Sequence, residues 1–243
     1  KKWYAPGNAI LVVAGDITPE RLKPLAEKYY GSIPAQPATP RRRPMEPPQT
    51  AKRTVTLKDA RVRQPSWGRT YLAPSLLTGE TKHAYALEVL ANIFGHGATS
   101  RLYQSLVVES QLALSAGAYY GADERGPSRF TLYAAPKPGV SMETLESKIE
   151  EELAKLLEGG ITPSELKRAK KRMQAQAIFA RDSLSGGART LGAALAAGLT
   201  VEDVETWPDR IGAVTVEQIS AAAKAILKDI RSVTSYLISN KTG

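Results

Sequence analysis

The stretch NIFGHGATSRLYQSLVVESQLALSAGA, Asn92 to Ala118, contains the most specific motif of this chain. An apolar helix is expected to close at Phe94, because the GHGA segment that follows it is typical of a break. A second helix is expected to begin at Thr99 or Ser100, since either hydroxyl can accept a hydrogen bond from an amide of the first turn. Leu112 to Ala118 then alternates as a strand does. The predicted order is helix, glycine loop, helix and strand.

The rest of the chain mixes strand patterns of period two with helix patterns of period 3.6. Strands are predicted over Thr54–Asp59, Ser66–Ala73, Ser128–Ala135 and Arg231–Ile238. Helices are predicted over Glu80–Phe94, Ser141–Glu158, Leu191–Ala197, Val201–Ile211 and Thr215–Leu227, with a long helix from Thr162 that kinks or breaks at Ser185–Gly187. This order predicts an α+β fold, with a mixed or antiparallel sheet and helices packed on one face.

The first part of the chain holds one strand pattern and one helix pattern. Asn8 to Ala14 is a continuous apolar run, which predicts a buried strand. The helix after it is expected to end at Gly31. One strand and one helix cannot bury both faces of the strand. We therefore expect them to be covered by the rest of the chain, by another chain or by a preceding half.

A proline-rich segment separates these two patterns from the rest. Six prolines between Pro34 and Pro48 remove amide donors and favour extended chain. The predicted divisions are a closing strand and helix at 1–33, a linker at 34–52 and an α+β domain at 53–243. The sequence KAILKDIRSVTSYLIS near the C-terminus is similar to KKWYAPGNAILVVAG at the start, which indicates a duplicated fold.

Composition excludes several classes of function. The net charge of +9 comes from 33 basic and 24 acidic residues, but the basic clusters lack the interleaved aromatic residues of single-strand binders. The absence of cysteine excludes disulfides and thiolate zinc sites. No apolar run approaches the roughly 18 residues that span a membrane. We expect no specific binding of nucleic acid and no membrane-spanning segment. A basic protein that binds nucleic acid or a membrane surface is kept as an alternative.

Three blocks of sequence, in this order, resemble metallopeptidases of the pitrilysin/insulinase (inverzincin) family. WYAPGNAILVVAGDITPERLKPLAEKYYG, from Trp3, resembles the strand and helix that close the first half of that fold. The S-R-L-Y motif from Ser100 resembles the start of a helix in its second half. GGITPSELKRAKKRMQAQAIFARDSLSGGA, from Gly159, resembles the long lysine-rich helix of that half. The resemblance implies that this chain is the C-terminal repeat of a duplicated clamshell fold.

The zinc motif of the family is missing from this chain. That motif is H-x-x-E-H on a helix, with a further Glu downstream. The two histidines here, His83 and His96, are thirteen residues apart and neither lies in such a motif. The resemblance therefore implies a zinc site before Lys1, in an N-terminal half of the parent protein. We expect no catalytic residue and no metal ligand in this chain, and no activity from it alone.

A few polar residues remain as candidates for a binding role. His96, Arg101 and Tyr103 are candidates for the wall of a substrate chamber. The alternatives are an exposed loop position for His96 and stabilisation of the loop by Arg101 and Tyr103. Ser100 is expected to cap a helix, because no base is apparent that would make it a nucleophile. His83 is expected on the surface.

The family also carries an Arg and a Tyr that bind the backbone of the substrate, in the pattern S-R-L-Y-x-x-L-R-x-x-x-x-L-x-Y. These positions are Val107 and Leu114 here, and neither side chain can form a hydrogen bond. Some members work as pairs in which one subunit holds zinc and the other holds the Arg and Tyr. The resemblance thus implies that the parent is one partner of such a pair, and we expect a dimer.

The resemblance implies the non-catalytic, chamber-forming half of a zinc-dependent peptidase that degrades peptides. The alternative is an inactive structural or partner subunit of the same fold, like the core proteins of respiratory complexes. An intact H-x-x-E-H motif in the preceding half would favour the enzyme. The expected partners are peptide substrates and either its own N-terminal half or a homologous subunit. The second half is similar to that of bacterial periplasmic members, which favours the periplasm.

Overall fold

The computed structural model describes residues 5–34, 47 and 49–240, and these fall into two compact units. Unit 1 contains the described residues before residue 48 together with residues 175–207. Unit 2 contains residues 49–174 and 208–240. Most of the predicted proline-rich linker, 34–52, lies outside the described residues.

The described residues of unit 2 form a five-stranded mixed sheet in the order β1-β5-β2-β4-β3. β5 runs parallel to β1 and antiparallel to β2, while β3 and β4 form an antiparallel hairpin. The strands are β1 (Arg53–Asp59), β2 (Ser66–Ala73), β3 (Ala113–Tyr120), β4 (Ser128–Pro136) and β5 (Ser232–Ser239). The prediction of an α+β fold with a mixed sheet is confirmed.

The sheet has one covered face and one open face. Alternation along β2 turns Trp67 and Tyr71 to the covered face, where both are buried. The helices of unit 2 that contact the sheet include α2 (Ala84–Gly95), α4 (Met142–Gly159) and α9 (Val216–Ile226). On the other face, Leu72, Tyr119 and Tyr133 are exposed. The predicted packing of helices on one face is therefore confirmed for unit 2.

The remaining helices largely follow the predicted pattern. They are α1 (Pro19–Tyr30), α3 (Arg101–Tyr103), α5 (Pro163–Phe179), α6 (Gly186–Ala197), α7 (Val201–Glu205) and α8 (Trp207–Ala213). α5 and α6 are separate helices, which confirms the predicted break near Ser185. Within the described ranges, no helix is both long enough and apolar enough to cross a lipid bilayer.

The single helix predicted over Val201–Ile211 is wrong, because the structure contains two helices there. α7 ends at Glu205 and α8 begins at Trp207. Pro208 explains the division, since proline has no amide to donate into a continuing helix but fits the first turn of a new one.

Unit 1 confirms the predicted helix and contradicts the predicted strand. α1 ends at Tyr30 with Gly31 as its C-cap, as expected. Residues 9–14, however, have no regular secondary structure, and Ile10, Leu11 and Val13 are 52%, 54% and 44% exposed. A strand needs a neighbouring strand to pair with its amides and carbonyls, and no described strand lies beside this segment. The buried strand predicted at Asn8–Ala14 is therefore not formed here.

Candidate functional site

The candidate site begins where α2 ends against β3. Gly95 is the last residue of α2, and a Cβ atom there would lie 1.8 Å from the backbone nitrogen of Ala118. Only a glycine lets the end of the helix rest directly on the backbone of β3. Gly97 then adopts a φ of +79°, a left-handed conformation that side chains disfavour. These two glycines set the course of the loop that carries His96.

Hydrogen bonds close this glycine loop from within. The hydroxyl of buried Ser100 donates to the carbonyl of Gly97 at 2.8 Å. The side-chain amide of Gln104 donates to the carbonyl of Ala98. Ser100 occupies the N-cap position of α3, but its side chain accepts no capping hydrogen bond. The expected acceptor role is therefore wrong, because the hydroxyl points to the carbonyl of Gly97 and not to an amide of the first turn.

Arg101 ties the loop to the start of α5. Its Nε lies 2.6 Å from Oε1 of Glu165, and its Nη2 lies 2.8 Å from Oε2 of the same carboxylate. Nη2 also donates to the carbonyl of Gly160 at 2.9 Å. Hydrogen bonds from Arg101, the largest cause, lower the pKa of Glu165 to about 2, and burial opposes them. The guanidinium of Arg101 thus holds the glycine loop against the start of α5. Stabilisation of the loop is one of the two roles that the sequence left open for this residue.

The other two candidates are accessible to different degrees. The side chain of His96 is exposed just after α2, and Tyr103 is half-buried at the end of α3. Gln104 to Glu109 continues as a π-helical turn, a rare conformation that is frequent near functional sites. Ser105 in this turn donates to buried Glu152 of α4 at 3.0 Å. This contact fixes the turn on the covered side of the sheet.

Val107 and Leu114 replace the Arg and Tyr of the family pattern. They lie before and after Glu109, the last residue of the π-helical turn. Val107 is half-buried within the π-helical turn, and Leu114, near the start of β3, is 49% exposed. Val108 is also 49% exposed. An apolar side chain can contact a substrate but cannot donate a hydrogen bond to a developing oxyanion. This part of the chain can therefore bind, but its side chains at 107 and 114 cannot assist hydrolysis.

The residues present do not fit a zinc site. His83 was expected on the surface, but it is buried, and its Nε2 lies 3.2 Å from Oε2 of Glu80. The expectation is wrong because the turn that contains His83 packs against α9. A zinc centre of an enzyme usually needs three protein ligands. Among the described residues, no group of three or more His, Cys, Asp or Glu side chains could hold a metal ion.

Beneath the sheet lies a buried arginine that was not predicted from the sequence. The side chain of Arg69 on β2 is fully buried, and its Nη2 lies 2.6 Å from Oε1 of Glu146. Nη1 donates to Glu150, and Nε donates to the hydroxyl of Thr234 on β5 at 3.0 Å. Burial, assisted by a hydrogen bond to Glu146, raises the pKa of Tyr236 to about 12. These contacts join α4, β2 and β5.

A signal for this cluster was present in the sequence. Arg69 lies in phase with Trp67 and Tyr71 on an alternating strand, so it had to face the same side as they do. Glu146 and Glu150 are four residues apart and share one face of a helix. A cation on the buried face of a strand requires such partners.

The open face of the sheet carries exposed aromatic side chains. Tyr119 on β3 and Tyr133 on β4 are 65% and 46% exposed. Between them and β5, the hydroxyls of Thr70 and Thr131 lie 3.3 Å apart. The exposed tyrosines offer stacking surface, and the half-buried threonine hydroxyls offer hydrogen-bond partners, so this face can contact a ligand that lies along the sheet.

Comparison with known proteins gives a family match and curated relatives. The model of the family described as "Peptidase M16 inactive domain" matches residues 1–173. Zinc protease PqqE of Helicobacter pylori is 27% identical over 237 residues, which cover 97% of this chain and 52% of that protein. An uncharacterized zinc protease of Mycobacterium leprae, ML0855, is 28% identical over 92% of this chain and 49% of its own length. The chain spans about half the length of these relatives.

Solved structures share the fold. A protease from Helicobacter pylori has a TM-score of 0.88 at 26% identity, covering 97% of this chain and 56% of its own. A peptidase M16 inactive domain from Pseudomonas fluorescens has a TM-score of 0.80 at 21% identity, and the match covers 98% of this chain and 55% of that one. The periplasmic protease PqqL from Escherichia coli has a TM-score of 0.74 at 15% identity, and the match covers 92% of this chain and 26% of that one. The last two show the fold alone.

The family model covers well over half of the chain, and the relatives are named as zinc proteases. The resemblance of the three sequence blocks is therefore confirmed. This chain belongs to the family of M16 peptidase inactive domains, the non-catalytic C-terminal half of the pitrilysin/insulinase type.

Proposed function

We propose that this chain forms one wall of the reaction chamber of a zinc-dependent peptidase that degrades peptides. The observation that carries the proposal is the match to an inactive domain that makes up about half of relatives named as zinc proteases. The zinc ion of the parent would be held by the other half. The residues described here do not fit a zinc site, so no step of hydrolysis is assigned to them.

The open face of the sheet is the proposed wall. Leu72, Tyr119 and Tyr133 give it apolar and aromatic surface that remains accessible. His96, which follows α2 where that helix rests on the edge strand β3, and Tyr103, at the end of α3, are proposed to contact substrate where it passes this edge of the sheet. Arg101 is proposed only to position them, since its guanidinium is bonded to Glu165.

A preceding half of the parent is the proposed partner of unit 1. Unit 1 exposes Ile10, Leu11 and Val13, together with Phe179 (71%) and Leu184 (97%). Among its described residues, only Ala194 and Leu199 are buried hydrophobic side chains. Apolar surface of this extent favours a further protein surface. We propose that a preceding half covers it, and that 1–33, 34–52 and 53–243 are the functional divisions.

A second candidate function is an inactive structural or partner subunit of the same fold. Val107 and Leu114 favour it, because they replace the polar pair that binds substrate in the family. In this version a homologous subunit pairs with the parent as a dimer and supplies the missing groups. An intact H-x-x-E-H motif upstream of this chain favours the peptidase instead. A periplasmic location is proposed for either function, since one protein with this fold is named as periplasmic.

Zinc content and peptide cleavage together test the proposal. We expect this chain, dialysed and measured by elemental analysis, to retain far less than one zinc per molecule and to cleave no fluorogenic peptide. The parent protein with its preceding half should retain zinc and cleave. Stoichiometric zinc in this chain alone, or cleavage by it alone, would contradict the proposal.

A further inference from the structure

Strand β1 leaves one edge of the sheet open. It is the outermost strand beside β5, and the residues from Arg53 to Lys58 are exposed on both faces. Val55 and Leu57 are each 58% exposed. Backbone groups that point away from β5 have no partner strand among the described residues. Such an edge is a template for pairing with another strand unless charge, proline or a bulge protects it.

The sequence of β1, RTVTLKD, is complementary to itself when two copies run antiparallel. If Thr56 lies opposite Thr56 of a second copy, then Arg53 lies opposite Asp59 and Val55 lies opposite Leu57. Opposite residues in an antiparallel pair share one face of the sheet. This register therefore places two ion pairs and two apolar pairs together on the open face.

Neighbouring registers lack this match. A shift of two residues places Val55 opposite Val55 and Arg53 opposite Leu57, so each guanidinium would lie beside an apolar side chain. A shift in the other direction places Asp59 opposite Val55. A shift by one residue turns the apolar side chains to opposite faces. Charge complementarity thus selects the register centred on Thr56.

Both charges are available for the pairing. Arg53 is exposed and forms no ion pair with another described residue. Asp59 is bound by Arg61, whose Nη2 lies 2.7 Å from Oδ2. A carboxylate accepts several hydrogen bonds, so the same group can accept from a second guanidinium. Lys58 would lie opposite Thr54 on the other face, where its ammonium stays in water.

We propose that β1 pairs antiparallel with β1 of a second copy and joins two five-stranded sheets into one continuous sheet. The two-fold axis would pass between the paired Thr56 residues, perpendicular to the sheet, so the helices of both copies would lie on the same side. This inference rests on the proposed function in one respect, because it supplies an interface for the dimer proposed there. The test of the interface measures neither zinc nor cleavage, so the interface and the proposed function can each fail without the other.

Disulfide mapping tests the register directly, because the chain contains no cysteine. Residues directly opposite in an antiparallel pair have Cα atoms about 4.5–5.5 Å apart, within the range of a disulfide. Thr56→Cys should therefore give a covalent dimer under mild oxidation. Thr54→Cys and Lys58→Cys are matched controls, since each would lie about four residues, or roughly 13 Å, from its copy. We expect at least tenfold less cross-linking from both.

Sedimentation equilibrium tests the ion pairs. Arg53→Asp places two aspartates opposite each other at both ends and should raise the Kd of the dimer at least about tenfold. Arg63→Asp, on the exposed connection after β1, carries the same charge change and should leave the Kd unchanged. A third variant, Thr56→Cys with Val13→Asp, should cross-link normally, which separates this interface from the apolar surface of unit 1.

Four outcomes would overturn the proposal. One is a monomeric native chain at about 50 µM in which Thr56→Cys does not cross-link. The second is equal cross-linking at positions 54, 56 and 58, which indicates random collision. The third is loss of cross-linking with Val13→Asp, which assigns association to unit 1. An added extended peptide that binds β1 while the chain stays monomeric would assign the edge to a peptide and also contradict the dimer.

Discussion

Arg101 and Glu165 form a two-point ion pair between the turn that follows the glycine loop and the first turn of α5. Nε and Nη2 of the arginine lie 2.6 and 2.8 Å from the two carboxylate oxygens. Glu165 also receives hydrogen bonds from the amide and hydroxyl of Thr162, both at 2.8 Å. The arginine of the S-R-L-Y motif thus holds two parts of unit 2 together.

Arg101→Ala should destabilise unit 2 by about 1–2 kcal/mol near neutral pH. The ion pair is charge-assisted and bidentate, but both side chains keep some contact with water, which limits its contribution. Urea unfolding followed by tryptophan fluorescence measures the change. Arg168→Ala is the control, since Arg168 is exposed and, among the residues that the structure describes, its side chain donates only to Ser164. Equal stability of the two variants would contradict this role.

The same pair predicts a pH dependence. The pKa of Glu165 falls from an ordinary 4.5 to about 2 in the folded chain, so the folded state favours the ionised carboxylate. The ionised carboxylate of Glu165 contributes fully to the unfolding free energy above about pH 4.5, and this contribution is lost as the pH falls toward 2. The difference in unfolding free energy between the native chain and Arg101→Ala should shrink to less than about half by roughly pH 3. A difference that stays constant over this range would count against the assignment.

Arg69→Met should cost about 3 kcal/mol or more of unfolding free energy. The substitution leaves the carboxylates of Glu146 and Glu150 without their buried cation, and it removes the donor to Thr234. Arg129→Met is the matched control, because Arg129 is exposed on the neighbouring strand β4. Denaturant unfolding measures both variants. A loss below about 0.5 kcal/mol for Arg69→Met would show that the cluster contributes little.

Gly95→Ala should prevent the end of α2 from resting on β3. The new methyl group would lie 1.8 Å from the backbone nitrogen of Ala118, and backbone cannot move aside as a flexible side chain can. We expect a loss of more than about 3 kcal/mol or a largely insoluble chain. Gly159→Ala, where no atom lies within 4 Å of the added Cβ, should change stability by less than about 1 kcal/mol. Similar behaviour of the two variants would be inconsistent with the close contact.

Leu11→Asp together with Val13→Asp should weaken the binding of this chain to the preceding half of its parent. Both side chains are about half exposed here, so the change should leave the folding of the isolated chain almost unaltered. Charges placed in an apolar interface cost binding energy, and we expect at least a tenfold rise in Kd. Calorimetric titration of the two halves measures it, with Lys23→Asp on exposed α1 as the control. Unchanged binding would remove these residues from the interface.

Helices and strands that carry a clear period could be predicted from the sequence. α2, α4 and β2 follow their apolar patterns closely, because burial on one face decides their structure. The long helix was predicted to begin at Thr162, and Thr162 forms a local capping pair with Glu165 there.

Features that depend on partners distant in sequence could not be predicted in the same way. Asn8–Ala14 has the pattern of a strand, but it lacks a neighbouring strand here. His83 is buried because α9, far along the chain, packs against its turn. Arg101 carries the pattern of a functional residue, and only the structure reveals that Glu165 is its partner. Residue type indicates which contacts are possible, whereas tertiary packing decides which are made.

We propose that this half completes a peptidase whose reactive centre lies in the other half. The most direct measurement is the rate of peptide cleavage by the preceding half alone, by this chain alone and by an equimolar mixture. We predict no cleavage by this chain and at least tenfold faster cleavage by the mixture than by the preceding half alone. Equal rates with and without this chain would contradict the claim.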